Sequence, residues 1–214
     1  MKIAFILLGA PGSGKGTQGE LLSKNFNLKR YIMSDLLKKE IKENKEIKEK
    51  IEKGELVSDD EVLEVFKKYF ERDEKFLLDG IPRTYKQAKL LTESLEKENY
   101  KIIVLYLKVN EELLLERITN RYYCPKCHAS YNLKFKPPKK DTICDYDGEK
   151  LVQRKDDTEE VFKKRLKIFN KSNKEILKYY KERLQKYYEF DGSKSLEEVH
   201  KDMFKILKEI LSNK

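Results

Sequence analysis

The sequence predicts an α/β fold in which a parallel β-sheet lies between two layers of helices. Short apolar segments at residues 2–8, 76–78 and 102–107 are typical of buried strands, and stretches with helical spacing separate them. A weaker strand candidate at residues 187–190 is closed by an Asp-Gly turn. Because strands that alternate with helices pair in parallel, we expect helices on both faces of the sheet.

The predicted helices carry their own start signals. Residues 14–26 show helical apolar spacing directly after the first strand. Two later helices are expected to begin with capping boxes, one formed by Ser58 and Glu61 and the other by Ser195 and Glu198.

Two segments break the alternation and are interpreted as inserts. One is helical in pattern and highly charged, without a strand, and the other holds all three cysteines together with two adjacent prolines. The predicted division is a core of residues 1–31, 58–120 and 158–214, a first insert of residues 32–57, and a second insert of residues 121–157.

Composition narrows the class of protein. The chain has 214 residues, of which 39% are hydrophobic and 40% charged, and its 13 Tyr and 10 Phe are sufficient for a core. Its longest strongly apolar run, residues 3–8, is far below the roughly 20 residues of a membrane span, and the glycine-rich sequence that follows does not fit a signal peptide. We therefore expect a cytoplasmic protein without a membrane partner. The net charge of +9 favours polyanionic partners.

Residues 9–17 (GAPGSGKGT) follow the first strand and open a helix, in the pattern of a phosphate-binding loop. Glycines let backbone N–H groups turn towards phosphate oxygens, and the helix directs its positive end to the same point. Lys15 adds a mobile charge for the β and γ phosphates. Gly16 replaces the usual Ser or Thr, so Thr17 and water are expected to complete a magnesium shell. The residues assigned to this loop are Gly12, Ser13, Gly14, Lys15, Gly16 and Thr17.

Three motifs, GAPGSGKGTQ at 9–18, LLDGIPRT at 77–84 and QRKDD at 153–157, resemble the adenylate kinase family of nucleoside monophosphate kinases. They occur in the family's order and span nearly the whole chain. The resemblance implies a P-loop three-layer α/β/α fold, with a monophosphate-binding insert at 32–57 and a lid insert at 121–157. It also implies a monomer that transfers a phosphoryl group reversibly from MgATP to AMP, giving two ADP.

A second strand end is expected beside the phosphate loop. Asp79 follows the strand candidate at 76–78, where a carboxylate can hold Mg²⁺ through water. Gly80 allows close approach of a ligand, and Pro82 stiffens the turn that presents Arg83.

Several arginines are candidates for phosphate contacts, since planar guanidinium groups match phosphate oxygens. Arg117 and Arg121 are spaced i, i+4, which predicts one helical face. The resemblance implies that Asp156 and Asp157 order the arginines as the site closes. It also implies the set that surrounds the phosphates: Arg83, Arg117, Arg121, Arg154 and Arg165.

No His or Glu is evidently placed as a general base. That absence is consistent with a phosphate acceptor, whose second pKa is near 6 and which is therefore already largely ionised at pH 7. Catalysis then consists of alignment and charge neutralisation, in a site that must close against water.

The resemblance places the acceptor nucleotide against residues 32–57. Met33 and Lys38 stand where the family has threonine and arginine, which leaves two outcomes open: weaker AMP binding, or a different acceptor base. Gln87 matches the family's adenine-reading glutamine but also fits a capping role opposite Thr84. AMP is the expected acceptor, ahead of cytidylate and uridylate. The residues assigned to it are Met33, Lys38, Glu55, Leu56, Val57, Gly80, Ile81, Pro82, Arg83, Gln87, Arg154 and Arg165.

The donor base is expected between Tyr131 and Arg117, which would sandwich a purine ring. Ser130 is assigned to the same site, and Lys194 matches the loop whose backbone contacts the donor base. ATP and GTP both stay open as donors, because backbone contacts leave no mark on side-chain identity.

The cysteines form a metal-binding pattern. Cys124 and Cys127 make one C-x-x-C pair, and Cys144 with Asp147 repeats the spacing after sixteen residues. Three thiolates and a carboxylate suit a closed, structural Zn²⁺ site, whereas Mg²⁺ or Ca²⁺ would not choose thiolates. His128 is an outside candidate for a ligand, and three ordinary reduced thiols are the alternative.

Two other function classes stay open at this stage. A nucleic-acid-binding zinc protein fits the positive charge, but acidic residues are interleaved with the basic ones and no recognition motif is visible. A nucleotide sensor without activity fits the changes at Met33 and Lys38. The retained Lys15 and the five arginines favour a phosphotransferase, with GTP:AMP transfer or another monophosphate acceptor as its variants.

Overall fold

The computed structural model describes residues 1–44, 47–49, 57–154, 156–184 and 186–212. The strands are β1 (Ile3–Gly9), β2 (Lys29–Ile32), β3 (Lys75–Asp79), β4 (Lys101–Lys108), β5 (Arg121–Tyr123), β6 (Ser130–Asn132) and β7 (Tyr187–Asp191). The longer helices are α1 (Lys15–Phe26), α2 (Met33–Glu43), α3 (Asp59–Tyr69), α4 (Tyr85–Lys97), α5 (Glu111–Thr119), α6 (Glu159–Arg183) and α7 (Leu196–Ser212).

Five strands form one parallel sheet in the order β2-β3-β1-β4-β7. The strand that carries the glycine-rich loop, β1, is therefore central, with β3 and β4 as its neighbours. Every residue of β1 is buried, as expected for a strand that is covered on both faces. The loops that leave β1 and β3 emerge at the same edge of the sheet, where ligands of such sheets bind.

Alternate side chains of the strands build two separate cores. Ala4 and Ile6 pack, with their neighbours on β3 and β4, against α2, α3, α4 and α6. Phe5 and Leu7 point to the other face and pack against α1 and α7. Both faces of the sheet are thus covered by helices, and the predicted α/β/α layering is confirmed.

Both predicted capping boxes form. Ser58 Oγ accepts from the backbone N–H of Glu61, and the Glu61 carboxylate accepts from the N–H of Ser58. Ser195 and Glu198 make the same reciprocal pair before α7. The start of α3, directly after the first insert, and the start of α7, the last helix, are therefore set by local sequence.

The edge strand β2 was not predicted. Its sequence, KRYI, carries two charged residues, and only Tyr31 is buried, so it lacks the apolar run that marks β1 and β4. It pairs in parallel with β3, with Ile32 opposite Asp79. Pairing on a sheet edge, which leaves the other side of the strand to solvent, accounts for the weak pattern.

The second insert contains a short antiparallel hairpin. Its strands β5 and β6 pair Tyr122 with Tyr131, and a small buried cluster of Cys124, Tyr131, Cys144 and Leu151 lies beside them. Arg121 is the first residue of β5, so the prediction that it shares a helical face with Arg117 is wrong. The helix α5 ends at Thr119, and Asn120 closes it as the C-cap.

None of the helices in the described ranges combines the length and the apolar character that crossing a bilayer requires.

Candidate active site

The loop between β1 and α1 has the backbone geometry of an anion cradle. Gly12 and Gly14 have φ angles of 85° and 92°, a region that other residues rarely adopt. A Cβ on Gly12 would lie 2.9 Å from the Leu114 carbonyl oxygen, so no side chain fits there. Gly14 is the N-cap of α1, and no side chain caps the helix. The first amides of α1 are therefore available to a ligand.

The other loop residues line the same turn. Ser13 is buried, and its backbone N–H donates to the Ala10 carbonyl at 3.1 Å. Its hydroxyl has no hydrogen-bond partner within the described ranges. Gly16 is exposed and Thr17 is half-buried, both in the first turn of α1.

Lys15 folds back over the cradle. Its Nζ donates to the carbonyl oxygens of Gly9 at 2.5 Å and Ala10 at 3.0 Å. Desolvation lowers the pKa of Lys15 to about 8, Asp79 opposes this shift, and Arg83 and Arg121 add to it. Within the described residues the charged ammonium thus has no anionic hydrogen-bond partner, and a phosphate oxygen could supply one.

Asp79 ends β3 beside the cradle and is buried. One of its oxygens, Oδ2, accepts from the Arg30 guanidinium at 2.5 Å, in an ion pair whose side chains are only 16% and 11% exposed. Sequence reasoning missed Arg30, because the edge strand that carries it has no recognisable pattern. That Asp79 holds Mg²⁺ through water stays a prediction, and its other carboxylate oxygen, Oδ1, makes no hydrogen bond within the described residues.

Two of the predicted arginines are paired with carboxylates at the junction of lid insert and core. Arg121 makes a two-pronged contact with the buried Asp157, with Nε 2.7 Å from Oδ2 and Nη2 bonded to Oδ1. Arg165, in the second turn of α6, donates to Asp156 at 2.5 Å. The bidentate pair matches the geometry that arginine also offers to phosphates.

Arg83 lies within electrostatic range of Arg165 and Asp79. Desolvation is the main cause that lowers the pKa of Arg83. The charge of Arg165 lowers this pKa further, and Asp79 opposes the shift. Its Nε donates to the Gly80 carbonyl at 3.0 Å. Arg154 lies further out on the lid insert, exposed, with its guanidinium 5.6 Å from the centre of the Tyr123 ring.

The aromatic residue next to Arg117 is Phe135, not Tyr131. The Arg117 guanidinium lies 5.4 Å from the centre of the Phe135 ring, and this ring is 41% exposed. Tyr131 points into the lid cluster, where its hydroxyl lies 3.4 Å from Cys144 Sγ and accepts from the Asp145 N–H at 2.8 Å. The expected pairing of Arg117 with Tyr131 across a purine ring is wrong, since the ring of Tyr131 is buried.

The Lys194 loop lies beside Arg117. Its backbone carbonyl lies 3.5 Å from a guanidinium nitrogen of Arg117, and the Lys194 ammonium pairs with Asp202 at 2.8 Å. Ser130 begins β6, one residue before Tyr131, and its carbonyl accepts from Lys136 at 3.1 Å.

Met33 and Gly80, which the sequence analysis assigns to the acceptor, face each other. Met33 begins α2 and is buried, and its Cβ lies 3.7 Å from the place that a Cβ on Gly80 would take. Lys38 is exposed, with its ammonium 3.4 Å from Asp35 Oδ1. The assigned residues Glu55 and Leu56 lie outside the described residues. The other assigned members of this side are described: Val57 is half-buried, Ile81 and Pro82 are buried, and a cis peptide bond joins the last two.

Gln87 is already engaged at both ends of its amide. Its Oε1 accepts from the Arg83 N–H at 2.7 Å, and its Nε2 donates to Asp59 Oδ1 at 2.8 Å. Thr84 Oγ1 accepts from the Gln87 N–H and donates to the same Asp59 carboxylate. The expected capping role is thus half realised, because the amide bonds Arg83 rather than Thr84. One amide N–H remains for a base edge. Asp59, which sequence reasoning missed, orients this amide.

The four predicted metal ligands converge. One ligand atom from each of Cys124, Cys127, Cys144 and Asp147 lies within 4.8 Å of all the others. The sulfurs of Cys127 and Cys144 are 3.5 Å apart, near the roughly 3.8 Å that a tetrahedral ion with 2.3 Å thiolate bonds would impose. His128 is exposed and does not belong to this group.

The fold and this site together define a class. An uncapped glycine loop on the central strand of a parallel sheet, surrounded by Lys15 and arginines, is the arrangement of P-loop phosphoryl-transfer proteins. The family model for adenylate kinase matches residues 7–185.

Three curated relatives are named adenylate kinase. That of Clostridium tetani is 41% identical over 211 residues, which is 95% of this chain and 97% of the relative. That of Clostridium perfringens is 38% identical over 215 residues, covering 97% and 98%. That of Caldicellulosiruptor bescii is 42% identical over 185 residues, covering 83% and 86%. The chain belongs to the adenylate kinase family.

The lowered pKa of Lys15 predicts a specific pH dependence of stability in the ligand-free protein. Between pH 8 and 10.5 the unfolded lysine still holds its proton while the folded one releases it, so stability rises with pH. Relative to Lys15→Met, the wild-type free energy of unfolding should rise across this range, by at most about 1.4 kcal/mol per pH unit for one proton.

Urea unfolding at pH 7, 8, 9 and 10 measures this difference. Lys24→Met, which removes an exposed lysine from the same helix, is the matched control and should follow the wild type. Parallel curves for the wild type and Lys15→Met would contradict the assigned shift.

Proposed function

We propose that this chain transfers the terminal phosphoryl group of MgATP to AMP, reversibly, giving two ADP. The observation that carries the proposal is the uncapped cradle with Lys15 beside it, a cation whose pKa is lowered by desolvation and by two neighbouring arginines. The backbone amides and the ammonium of such a site attract the negative charge of a polyphosphate. Family membership supports the same reaction.

The proposed roles follow from charge. Amides of residues 12–17 and Lys15 hold the donor phosphates, while Arg117 and Phe135 flank the donor base beside the Lys194 carbonyl. Arg83, Arg121, Arg154 and Arg165 neutralise the transferring and accepting phosphates. The acceptor oxygen is already ionised, so alignment of the two nucleotides takes the place of a general base.

Closure of the two inserts is part of the proposed mechanism. Water competes with AMP as an acceptor, so the site must exclude it before transfer. Asp156 and Asp157 hold Arg165 and Arg121 in the absence of ligand, and we propose that these pairs order the arginines as the lid insert closes. The division into a core and inserts at 32–57 and 121–157 belongs to this proposal.

Magnesium fits the residues at the cradle. Asp79 Oδ1 and the Thr17 hydroxyl are hard oxygen donors of the kind that Mg²⁺ accepts, either directly or through water. When bound, Mg²⁺ supplies charge neutralisation of the β and γ phosphates. Asp79 and Thr17 orient its shell, and Lys15 contributes a second positive charge.

For the lid insert we propose a structural Zn²⁺ held by three thiolates and the Asp147 carboxylate. Two of the four residues in the insert's buried cluster, Cys124 and Cys144, are themselves proposed ligands. A core of this size does not hold a fold alone, so the metal would replace the missing hydrophobic stabilisation. A cytoplasmic location and a monomeric state remain predictions.

The activity is tested by a coupled assay that scans AMP, CMP, UMP and GMP as acceptors against ATP and GTP as donors. AMP with ATP should give the highest kcat/KM. Lys15→Met should lower kcat by about 100-fold or more, because one preorganised charge at the transferring group is lost. Lys24→Met is the control with normal turnover. A wild-type chain that converts none of these pairs would contradict the proposal.

The acceptor site is tested by restoring the family's residues. Met33→Thr with Lys38→Arg should lower the KM for AMP several-fold and leave the KM for ATP unchanged. The reason is that a guanidinium group can bind a phosphate through two hydrogen bonds, whereas an ammonium group acts as a point charge. Lys39→Arg, next along α2, is the control. An unchanged KM for AMP would mean that other residues already compensate.

The metal is tested by elemental analysis and chelation. The purified chain should hold about one zinc, and a strong chelator should remove it and lower the melting temperature. Cys144→Ser should lose the metal, whereas His128→Ala should keep it. A chain free of metal, or equal loss in both variants, would reject the four-ligand site.

A further inference from the structure

The Arg30–Asp79 ion pair lies beside the phosphate cradle, next to the first turns of α1. Arg30 extends from the edge strand β2 across β3 towards the first turns of α1. A Cβ on Gly16 would lie 3.8 Å from its Nη2, and a Cβ on Gly19 would lie 2.9 Å from its Nε. The absence of a side chain at Gly19 thus leaves the slot that the guanidinium occupies.

The ion pair balances the charge of Asp79, a carboxylate next to the cradle. The Asp79 carboxylate raises the pKa of Lys15 against the effect of desolvation, so the two groups are within electrostatic range. An unbalanced carboxylate at this point would repel the donor phosphates. It would also attract Lys15 away from them. A buried charge that loses its partner exerts its full field on its neighbours.

We propose that Arg30 is a positioning residue for donor binding: it neutralises Asp79 and so keeps Lys15 available to the triphosphate. Its contact is with Oδ2, and Oδ1 makes no hydrogen bond to any other part of the described chain. Arg30 acts through Asp79 rather than on the nucleotide. The inference rests on the proposed donor site, since it assumes that a triphosphate binds at Lys15.

The test is ATP binding in EDTA, measured by calorimetry, so that no metal masks the carboxylate. Arg30→Gln should weaken binding about tenfold or more, because the bare Asp79 faces the phosphates. Asp79→Asn should bind ATP at least as tightly as the wild type. The double variant Arg30→Gln/Asp79→Asn should return to within about threefold of the wild type, since both charges are gone.

The matched control is Arg183→Gln. It makes the same substitution in an arginine that pairs with Glu96 at 2.6 Å. Arg183 precedes the amino end of β7, whereas the cradle follows the carboxyl end of β1. Arg183→Gln should leave ATP affinity unchanged. Equal affinity of Arg30→Gln and the wild type would overturn the inference, as would a double variant as weak as Arg30→Gln, which is the result that a purely structural role predicts.

Thermal unfolding of each variant checks that binding is measured on folded protein. If Arg30→Gln does not fold, Asp79→Asn still decides the point, because weaker metal-free ATP binding by that variant contradicts a repulsive Asp79. A wild-type chain that binds no ATP overturns the donor site and this inference together. If the wild type binds ATP and the variants bind it with the same affinity, only the role of Arg30 is overturned.

Discussion

Positive charge held without a matching anion is the constraint on which this site depends. Gly14 leaves the first amides of α1 without a side-chain cap, and the hydrogen bonds of Lys15 to described residues go to carbonyl oxygens alone. The helix dipole and the Lys15 ammonium therefore direct the same unmet attraction to one edge of the sheet. The central position of β1 between β3 and β4, with helices on both faces of the sheet, places the glycine loop at that edge.

Carboxylates distribute this charge rather than cancel it. Asp157 is buried and holds Arg121 in a bidentate pair, Asp156 holds Arg165 near the surface, and Asp79 is held by Arg30. Each acid orients one guanidinium, and none of the three hydrogen-bonds to Lys15 in the described chain. Arg121 and Arg165 are thus oriented by carboxylate contacts that do not include Lys15.

The sequence was most informative where a local rule is strict. Continuous apolar runs identified β1 and β4, the glycine spacing identified the cradle, and the paired C-x-x-ligand spacing identified the cluster completed by Asp147. It was least informative where tertiary register decides. The edge strand β2 has only Tyr31 as a buried residue, so Arg30 had no strand to be placed on. The register of the lid hairpin turns Tyr131 inward and leaves Phe135 beside Arg117, and no periodicity in that turn-rich insert reports it.

The desolvated ammonium at the cradle also bears on how long the protein survives in a cell. A folded state that tolerates this charge poorly when empty gains free energy from any tightly held polyphosphate, since a ligand that binds only the folded chain shifts the folding equilibrium. Resistance to proteolysis then follows the size of the nucleotide pool.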